Sequence, residues 1–383
     1  EGEEIDKERG VILEEMRQGQ GAQLRMYQKM LPEIYPNSPY GHRMPIGLEE
    51  VISGFDHEAL RAYYHKWYRP DLQGIIIIGD VDVNVVENHL KTIFEDIPAP
   101  VNPAERTRFQ VADNTDPIVS ICTDREETNY NISVYYKHDV VPNEEKEDIQ
   151  YWLKGYIDNL VATMYNNRME ELTQKANPPF IFGYGYYGTF FVSDTKDAWT
   201  TLAYAKDKEG IDEALNAIVA ENKRMQQYGF TESEFERAKA DLMKQIESQY
   251  DERDKQETSR YFYPILSHFL TNEPLMGIEN EYMLLSQILP NLPVEVINQY
   301  VPELIRKDNI VITLTAPEKE GEVLPTKDEL IALFNKANEV EVEPYKETVS
   351  NEPLIATLPV KGEISSKKHD DTFDATILTL KNG

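Results

Sequence analysis

The stretch IDKERGVILEEMRQGQGAQLRMYQKMLPEIY, residues 5–35, carries the clearest structural pattern in this chain of 383 residues. Its apolar side chains recur at roughly helical spacing, at Ile5, Ile12, Met16, Leu24, Tyr27 and Met30. Such spacing indicates an amphipathic helix, and a proline such as Pro32 commonly ends one. The pattern therefore predicts a helix over residues 4–33.

Two carboxylates stand out within this predicted helix. Glu8 and Glu15 are seven residues apart, which places their side chains within about 20° of each other and about two turns apart on one face. That face could hold a metal ion with one carboxylate and steady the site with the other. By spacing alone, however, the pair fits a solvated acidic face better than a metal site.

The run ERGVILEE, Glu8–Glu15, resembles the segment that supplies the third zinc ligand in the pitrilysin/insulinase family. The resemblance implies zinc bound by an inverted motif, H-x-x-E-H, together with a glutamate on a later helix. On this alignment Glu15 takes the zinc-ligand position and Glu8 the supporting carboxylate position. Glu14 is adjacent but points elsewhere on the helix, so it ranks below Glu15.

The following residues extend the resemblance over about the first 110 residues. A predicted helix, His57–Tyr68, ends in Trp-Tyr-Arg-Pro. The apolar run Gln73–Asp80 predicts a buried strand, and Val83–Ile97 predicts an amphipathic helix. This order is typical of the family's first domain. Beyond it the resemblance depends on the order of domains.

The predicted fold class is α+β, with tandem duplicated domains of the pitrilysin type whose antiparallel-rich sheets are flanked by helices. Residues 1–103 would be the C-terminal part of a first domain, 104–116 a linker and 117–316 a second domain of the same type. Residues 317–372 are predicted to be an acidic linker with one helix, and 373–383 the first strand of a truncated domain.

The second domain is predicted from alternating strand-like and helical segments. The strands are expected at 118–123, 130–138, 180–191, 198–205 and 308–315, with helices between them and Thr231 as an N-cap. Phe180–Phe191 is rich in aromatics and glycines, which could form a peptide cleft. A packed central strand is the preferred interpretation of that segment.

The histidine half of the metal site is missing from the sequence. None of the seven histidines lies in an H-x-x-E-H motif. We therefore expect an inactive fragment whose histidine-bearing helix lies upstream of residue 1, on the same polypeptide or a partner subunit. His42 is expected to be a solvated loop residue. Gln174 stands where active members could carry an arginine that stabilises the oxyanion, so no residue is assigned to that role.

The resemblance implies a zinc-dependent endopeptidase that acts on peptides or small unfolded proteins in an internal chamber, and it favours a bacterial periplasm or cell envelope. A non-catalytic structural paralogue and a peptide-binding module are the alternatives. The net charge of −29 argues against nucleic acid as a partner. No apolar run is long enough to span a bilayer, and Cys122 is expected to be a small core residue.

Overall fold

A five-stranded mixed sheet forms the centre of the fold. Its strands are β1 (Ile118–Asp124), β2 (Tyr130–Asp139), β3 (Phe182–Thr189), β4 (Lys196–Ala205) and β5 (Ile310–Pro317). Their order in the sheet is β1-β5-β2-β4-β3, with β1 and β5 parallel and the other neighbours antiparallel. The computed structural model describes residues 2–347, 355 and 357–382.

Twelve helices lie before, between and after these strands in the described residues. They are α1 (Gly2–Gln18), α2 (Ala22–Ile34), α3 (Glu49–Gly54), α4 (His57–Trp67), α5 (Val83–Phe94), α6 (Ile149–Thr173), α7 (Ile211–Tyr228), α8 (Glu232–Asp251), α9 (Phe262–Thr271), α10 (Ile278–Ile288), α11 (Val294–Leu304) and α12 (Lys327–Glu339). The predicted α+β class with a helix-flanked sheet is thus confirmed. No described helix is both long and apolar enough to cross a membrane.

The chain divides into two compact units, residues 1–345 and 346–383. The smaller unit contains a hairpin of β6 (Ile364–Asp370) and β7 (Ala375–Leu380). The strand predicted near the C-terminus is therefore present up to Leu380, whereas Gly383 lies outside the described residues. The domain boundaries predicted at 103, 116, 316 and 372 stay predictions.

One face of the sheet is covered by α6, α7, α8 and α11. Trp199 on β4 is fully buried there, with its ring 5.4 Å from that of Tyr165 on α6. Arg168 on α6 is also buried and bonds Glu234 through two nitrogens, at 2.6 and 2.8 Å, and Glu221 at 3.1 Å. Because both carboxylates belong to other helices, this charged group joins α6, α7 and α8.

The opposite face of the sheet is covered by α2. The buried side of this helix consists of Met26, Met30, Leu31 and Ile34, followed by Tyr35. They pack with side chains from four strands and the β3–β4 loop, including Cys122, Tyr135, Val311 and Phe190. Since both faces of the sheet are covered, successive residues of β2 are buried, and the expected core position of Cys122 is confirmed.

Polar side chains fasten the segment before β1 to the sheet. The buried ammonium of Lys137 donates to the carbonyl oxygen of Ala112 at 2.8 Å, and burial lowers the pKa of Lys137 to about 8. Asn114 and Asn309 exchange hydrogen bonds between this segment and the start of β5. The chain around residues 112–114 is thereby fixed against one end of the sheet.

Two sequence predictions for residues 4–80 are wrong in detail. The helix predicted over residues 4–33 is two helices, because the chain breaks at Gly19, Gln20 and Gly21, and Pro32 lies inside α2 and does not end it. The segment Gln73–Asp80, predicted as a buried strand, forms no strand and leaves Ile75 53% exposed. An apolar run needs neighbouring strands to pair with, and within the described residues 2–103 there are none.

The Phe180–Phe191 segment contains strand β3, but the prediction that this strand is packed at the centre of the sheet is wrong. Its β3 lies at the edge of the sheet, and Phe182 is 52% exposed. The strand predicted at 308–315 is observed as β5, the last of the five strands along the chain. Within the sheet it lies between β1 and β2. The predicted N-cap Thr231 is confirmed, and it forms a capping box with Glu234.

Replacing Tyr35 by phenylalanine should lower the free energy of unfolding by about 1–3 kcal/mol. The buried hydroxyl of Tyr35 donates to the carbonyl oxygen of Phe190 at 2.5 Å and accepts from the N–H of Val192 at 3.1 Å. Its removal would leave both backbone groups without this hydrogen-bond partner. The matched control is Tyr63→Phe, at a side chain that is 59% exposed. Urea denaturation followed by circular dichroism would measure both, and equal stabilities of the two variants would contradict the assigned role of Tyr35.

Candidate metal-binding helix

Helix α1 is held against α3 and the turn that follows it by one arginine. The guanidinium of Arg9 donates to the carbonyl oxygens of Ile52 and Phe55, the latter at 2.6 Å. It also lies 4.0 Å from the centre of the Phe55 ring. The two carbonyls belong to the end of a helix, where backbone oxygens lack intrahelical partners. Arg9 thus sets which face of α1 points inward.

A second polar contact joins α1 to the start of α4. Asp6 accepts from His57 Nε2 at 2.8 Å and from Arg9 at 3.1 Å. These hydrogen bonds, that of His57 first, lower the pKa of the Asp6 carboxyl. Both ends of the contact are partly exposed, so it orients the helix more than it stabilises the fold.

The two carboxylates singled out in the sequence lie on the exposed part of α1. Glu8 and Glu15 are both exposed, and neither makes an ion pair or hydrogen bond with any residue that the structure describes. By contrast, Glu14 accepts hydrogen bonds from Arg17 and from Gln18, at 2.8 and 2.9 Å. Those bonds lower the pKa of Glu14. Glu8 and Glu15 are therefore available to a ligand, whereas Glu14 is already engaged.

The apolar side chains near these two carboxylates in the sequence are half-buried. Ile12, Met16 and Leu24 are each partly covered, and α1 has no fully buried residue. This helix is accordingly attached by its polar contacts more than by an apolar core. Its exposed face remains free for another part of a protein to cover.

The end of α1 is linked to the sheet through α2. Arg25, at the start of α2, binds the Asp124 carboxylate through two nitrogens at 2.7 and 2.6 Å, and Glu126 at 2.7 Å. The Arg25 bonds hold the pKa of Asp124 well below its usual range. Lys29 adds a hydrogen bond to the carbonyl oxygen of Thr123 at 3.0 Å. The chain that follows the candidate helix is thus fixed to β1.

The carboxylate of Glu15 suits zinc as one oxygen ligand, because it is exposed and has no competing partner among the described residues. A zinc site needs three or four protein ligands. Throughout the described residues, no group of three or more His, Cys, Asp or Glu side chains could hold a metal ion. Glu15 could therefore contribute one ligand to a site completed from elsewhere, with Glu8 on the same face behind it.

The edge strand β3 is a second surface that could be functional. Phe182, Tyr184 and Tyr186 follow one another along one side of it, with neighbouring rings 5.5 and 5.8 Å apart. The alternate positions are glycines where a Cβ would collide with α6: at Gly185 it would lie 2.9 Å from the Tyr165 ring. The glycines thus permit close packing of α6, while the aromatic side stays accessible.

Sequence reasoning found Glu8 and Glu15 but missed the residues that orient them. Asp6 lies two residues before Glu8 and Arg9 directly after it, and the signal that the sequence offered for them was the Glu8-Arg9 pair. Their partners in α3 and α4 are more than forty residues away. His42 is exposed as expected, and Gln174 is the C-cap residue of α6.

Comparison with known proteins relates the chain to metallopeptidases. A family described as "Peptidase M16 inactive domain" matches residues 54–242. Over 390 aligned residues the chain is 27% identical to an Arabidopsis thaliana protein named "Zinc protease PQQL-like", covering 100% of this chain and 36% of that protein. Over 382 residues it is 24% identical to the probable zinc protease PqqL of Escherichia coli, covering 99% of this chain and 40% of that protein.

A solved structure agrees with this relationship at the level of the fold. The crystal structure of the periplasmic protease PqqL from Escherichia coli matches with a TM-score of 0.80 and 23% identity. The match covers 100% of this chain and 42% of that chain. The chain thus spans less than half of the length of these two curated relatives and of this solved structure.

Zinc titration of this chain should reveal no stoichiometric site, because a single available carboxylate cannot hold the ion against dialysis. Elemental analysis after dialysis should give far less than one zinc per chain, for the unaltered sequence and for Glu15→Gln alike. One zinc per chain that Glu15→Gln leaves in place would show that other residues bind it. One zinc that Glu15→Gln removes would show that the chain holds a complete site.

Proposed function

Because this chain belongs to the pitrilysin/insulinase family, we propose that it is part of a zinc-dependent endopeptidase to which it contributes one zinc ligand, Glu15. The other ligands would be the two histidines of an H-x-x-E-H segment, carried by the same polypeptide or by a partner subunit. By itself the chain would be inactive, because it has neither these histidines nor the glutamate between them.

One observation carries this proposal above the others. Glu8 and Glu15 lie on one helix face, exposed and without partners among the described residues, while Arg9 and Asp6 fix the helix that displays them. The neighbouring Glu14, by contrast, pairs with Arg17. A pair left unengaged beside an engaged neighbour favours a role as ligands.

The roles of the two carboxylates follow from their chemistry. Glu15 would bind the ion directly through a carboxylate oxygen, and Glu8 would support the site from behind, as hydrogen-bonding carboxylates around metal ligands do. Zinc, when bound, would polarise the scissile carbonyl and activate a water molecule. The glutamate of the H-x-x-E-H segment would accept the proton from that water.

Peptides or small unfolded proteins, held in an internal chamber, are the proposed substrates, and the periplasm of a bacterium is the proposed compartment. The second of these rests on the Escherichia coli relative, which is described as a periplasmic protease. Both extend to this chain what the family suggests for a whole peptidase of which the chain spans only part.

A peptide-binding module is the second candidate, and β3 favours it. The strand lies at the edge of the sheet, with accessible aromatic side chains on one side, and an edge strand can pair with an extended peptide. A non-catalytic structural paralogue would keep the same fold. It would have no use for the unengaged pair of carboxylates.

In a peptidase that joins this chain to an H-x-x-E-H segment, Glu15→Gln should abolish most zinc binding and peptide cleavage, because an amide is a poorer ligand than a carboxylate. Glu8→Gln should lower metal affinity or activity by about 10–100-fold, as changes behind metal ligands do. Glu14→Gln is the matched control and should be close to neutral. Zinc content and cleavage of a fluorogenic peptide would be measured for all three.

The three variants separate the possible registers of the helix. Equal losses for Glu14→Gln and Glu15→Gln would show that the alignment of the ligand position is wrong. Full activity in Glu15→Gln would leave the peptide-binding module or the structural paralogue as the function of this chain.

A further inference from the structure

A large cavity lies on the side of the sheet that α6 and α8 cover. Helix α1 takes no part in its walls. The cavity volume is about 1260 Å³, and its walls come from the first half of α6, the ends of β3 and α8, the start of β4, and α9. The two lysines of the cavity form ion pairs with two of its carboxylates. Two other carboxylates, Asp197 and Glu281, have no such pair within the described residues.

The paired charges lie on α6 and on the segments beside it. Lys146 binds Glu273 at 2.8 Å, and the Tyr151 hydroxyl donates to the same carboxylate at 2.9 Å. Lys154 binds Asp158 at 2.8 Å, and the hydroxyl of Tyr300 donates to Asp158 at 2.5 Å. Each lysine is therefore already committed to a carboxylate of its own.

The carboxylate of Asp197 takes part in neither of these two ion pairs. It lies on the same face of β4 as Trp199, because side chains alternate along a strand, while Lys196 points the other way to Asp113 and Asp139. It is half-buried among helices, yet within the described residues no group donates a hydrogen bond to it. Burial raises the pKa of Asp197, while the nearby ammonium groups of Lys146 and Lys154 act in the opposite direction without donating a hydrogen bond to it.

The residue directly opposite Asp197 offers it no charge. His138 pairs with Asp197 across β2 and β4, and its Nε2 contacts the carbonyl oxygen of Leu304 at 3.1 Å. Burial lowers the pKa of His138 and so favours the neutral ring. Glu281, on another wall of the cavity, is likewise half-buried and makes no bond within the described part of the chain.

Aromatic rings complete the lining. The ring of Tyr187 lies 4.1 Å from the ammonium of Lys154, so this wall already accommodates a cation. Trp152 and Tyr156 stand edge to face with their rings 5.0 Å apart. Carboxylates without donors and aromatic faces are the two features that attract organic cations. Arg106 and Arg108 also line the cavity, but both are exposed and therefore screened by water.

We propose that this cavity is a binding site for an organic cation, an ammonium or guanidinium group, whose N–H groups donate to the carboxylate of Asp197. A carboxylate placed on the core-facing side of a sheet without a donor costs stability, and a bound cation would offset that cost. The cation could belong to a small free amine or to a lysine or arginine side chain of a peptide. The site needs no zinc, so this proposal can be tested independently of the role of Glu15.

The test uses the whole 383-residue chain and two blocked amino acids as probes. N-acetyl-lysine N-methylamide carries the ammonium group, and N-acetyl-norleucine N-methylamide is its uncharged counterpart. Binding would be measured by isothermal titration calorimetry. The lysine probe should bind the unaltered chain, and the norleucine probe should bind at least about tenfold more weakly, since a hydrogen bond to a charged group is lost.

The variant Asp197→Asn keeps the size of the side chain and should weaken the lysine probe by about 10–100-fold. Asp241→Asn, an exposed residue of α8, is the control and should leave binding unchanged. Thermal melting would verify that both variants fold. Unchanged affinity in Asp197→Asn, or equal affinity for the two probes, would overturn the proposal.

Two further ligands distinguish the sources of the cation. The blocked tripeptide Ala-Lys-Ala carries the ammonium on a peptide, and n-butylamine carries it alone. Tighter binding of the tripeptide would support a peptide side chain as the natural ligand. Equal or tighter binding of n-butylamine would support a small free amine, and loss of both in Asp197→Asn is expected in either case.

Discussion

The burial of one side of α2 against the sheet is the contact on which the arrangement of the N-terminal elements depends. Four apolar side chains of this helix and Tyr35 are inaccessible to water, and each such burial contributes about 1.5–3 kcal/mol. Arg25 adds charged hydrogen bonds to Asp124 at the edge of the same surface. Helix α1 has no buried residue of its own, so its position follows from α2 and from the hydrogen bonds of Arg9.

One face of the sheet contains two charged groups in different surroundings. On the face covered by α6, α7 and α8, Arg168 and its two glutamates replace apolar packing with a fully hydrogen-bonded charged group, and removing one partner would leave a buried charge. On the same face, Asp197 accepts no hydrogen bond from any residue that the structure describes, although the ammonium groups of Lys146 and Lys154 lie near it. This difference between the fully hydrogen-bonded Arg168 and the half-buried Asp197 favours the cavity as a binding site.

The sequence was sufficient wherever local chemistry determines structure. Thr231 with Glu234 three residues later predicted a helix start that the structure contains, and the alternation from Tyr130 predicted β2. Gln73–Asp80 could not be judged in this way, because an apolar run becomes a strand only when a neighbour pairs with it. The edge position of β3 and the exposure of Asp197 to a cavity likewise depend on residues distant in the chain. Glu15 itself was singled out by family resemblance, since spacing alone favoured a solvated face.

Anomalous diffraction at the zinc absorption edge would test the central claim most directly. The crystal should contain the peptidase in which this chain is joined to an H-x-x-E-H segment. The zinc ion should be bound by the two histidines of that motif, with a carboxylate oxygen of Glu15 about 2.0–2.2 Å away. Glu8 should lie behind the ligands without touching the metal. Zinc coordinated through Glu14, or held without any residue of α1, would contradict the account.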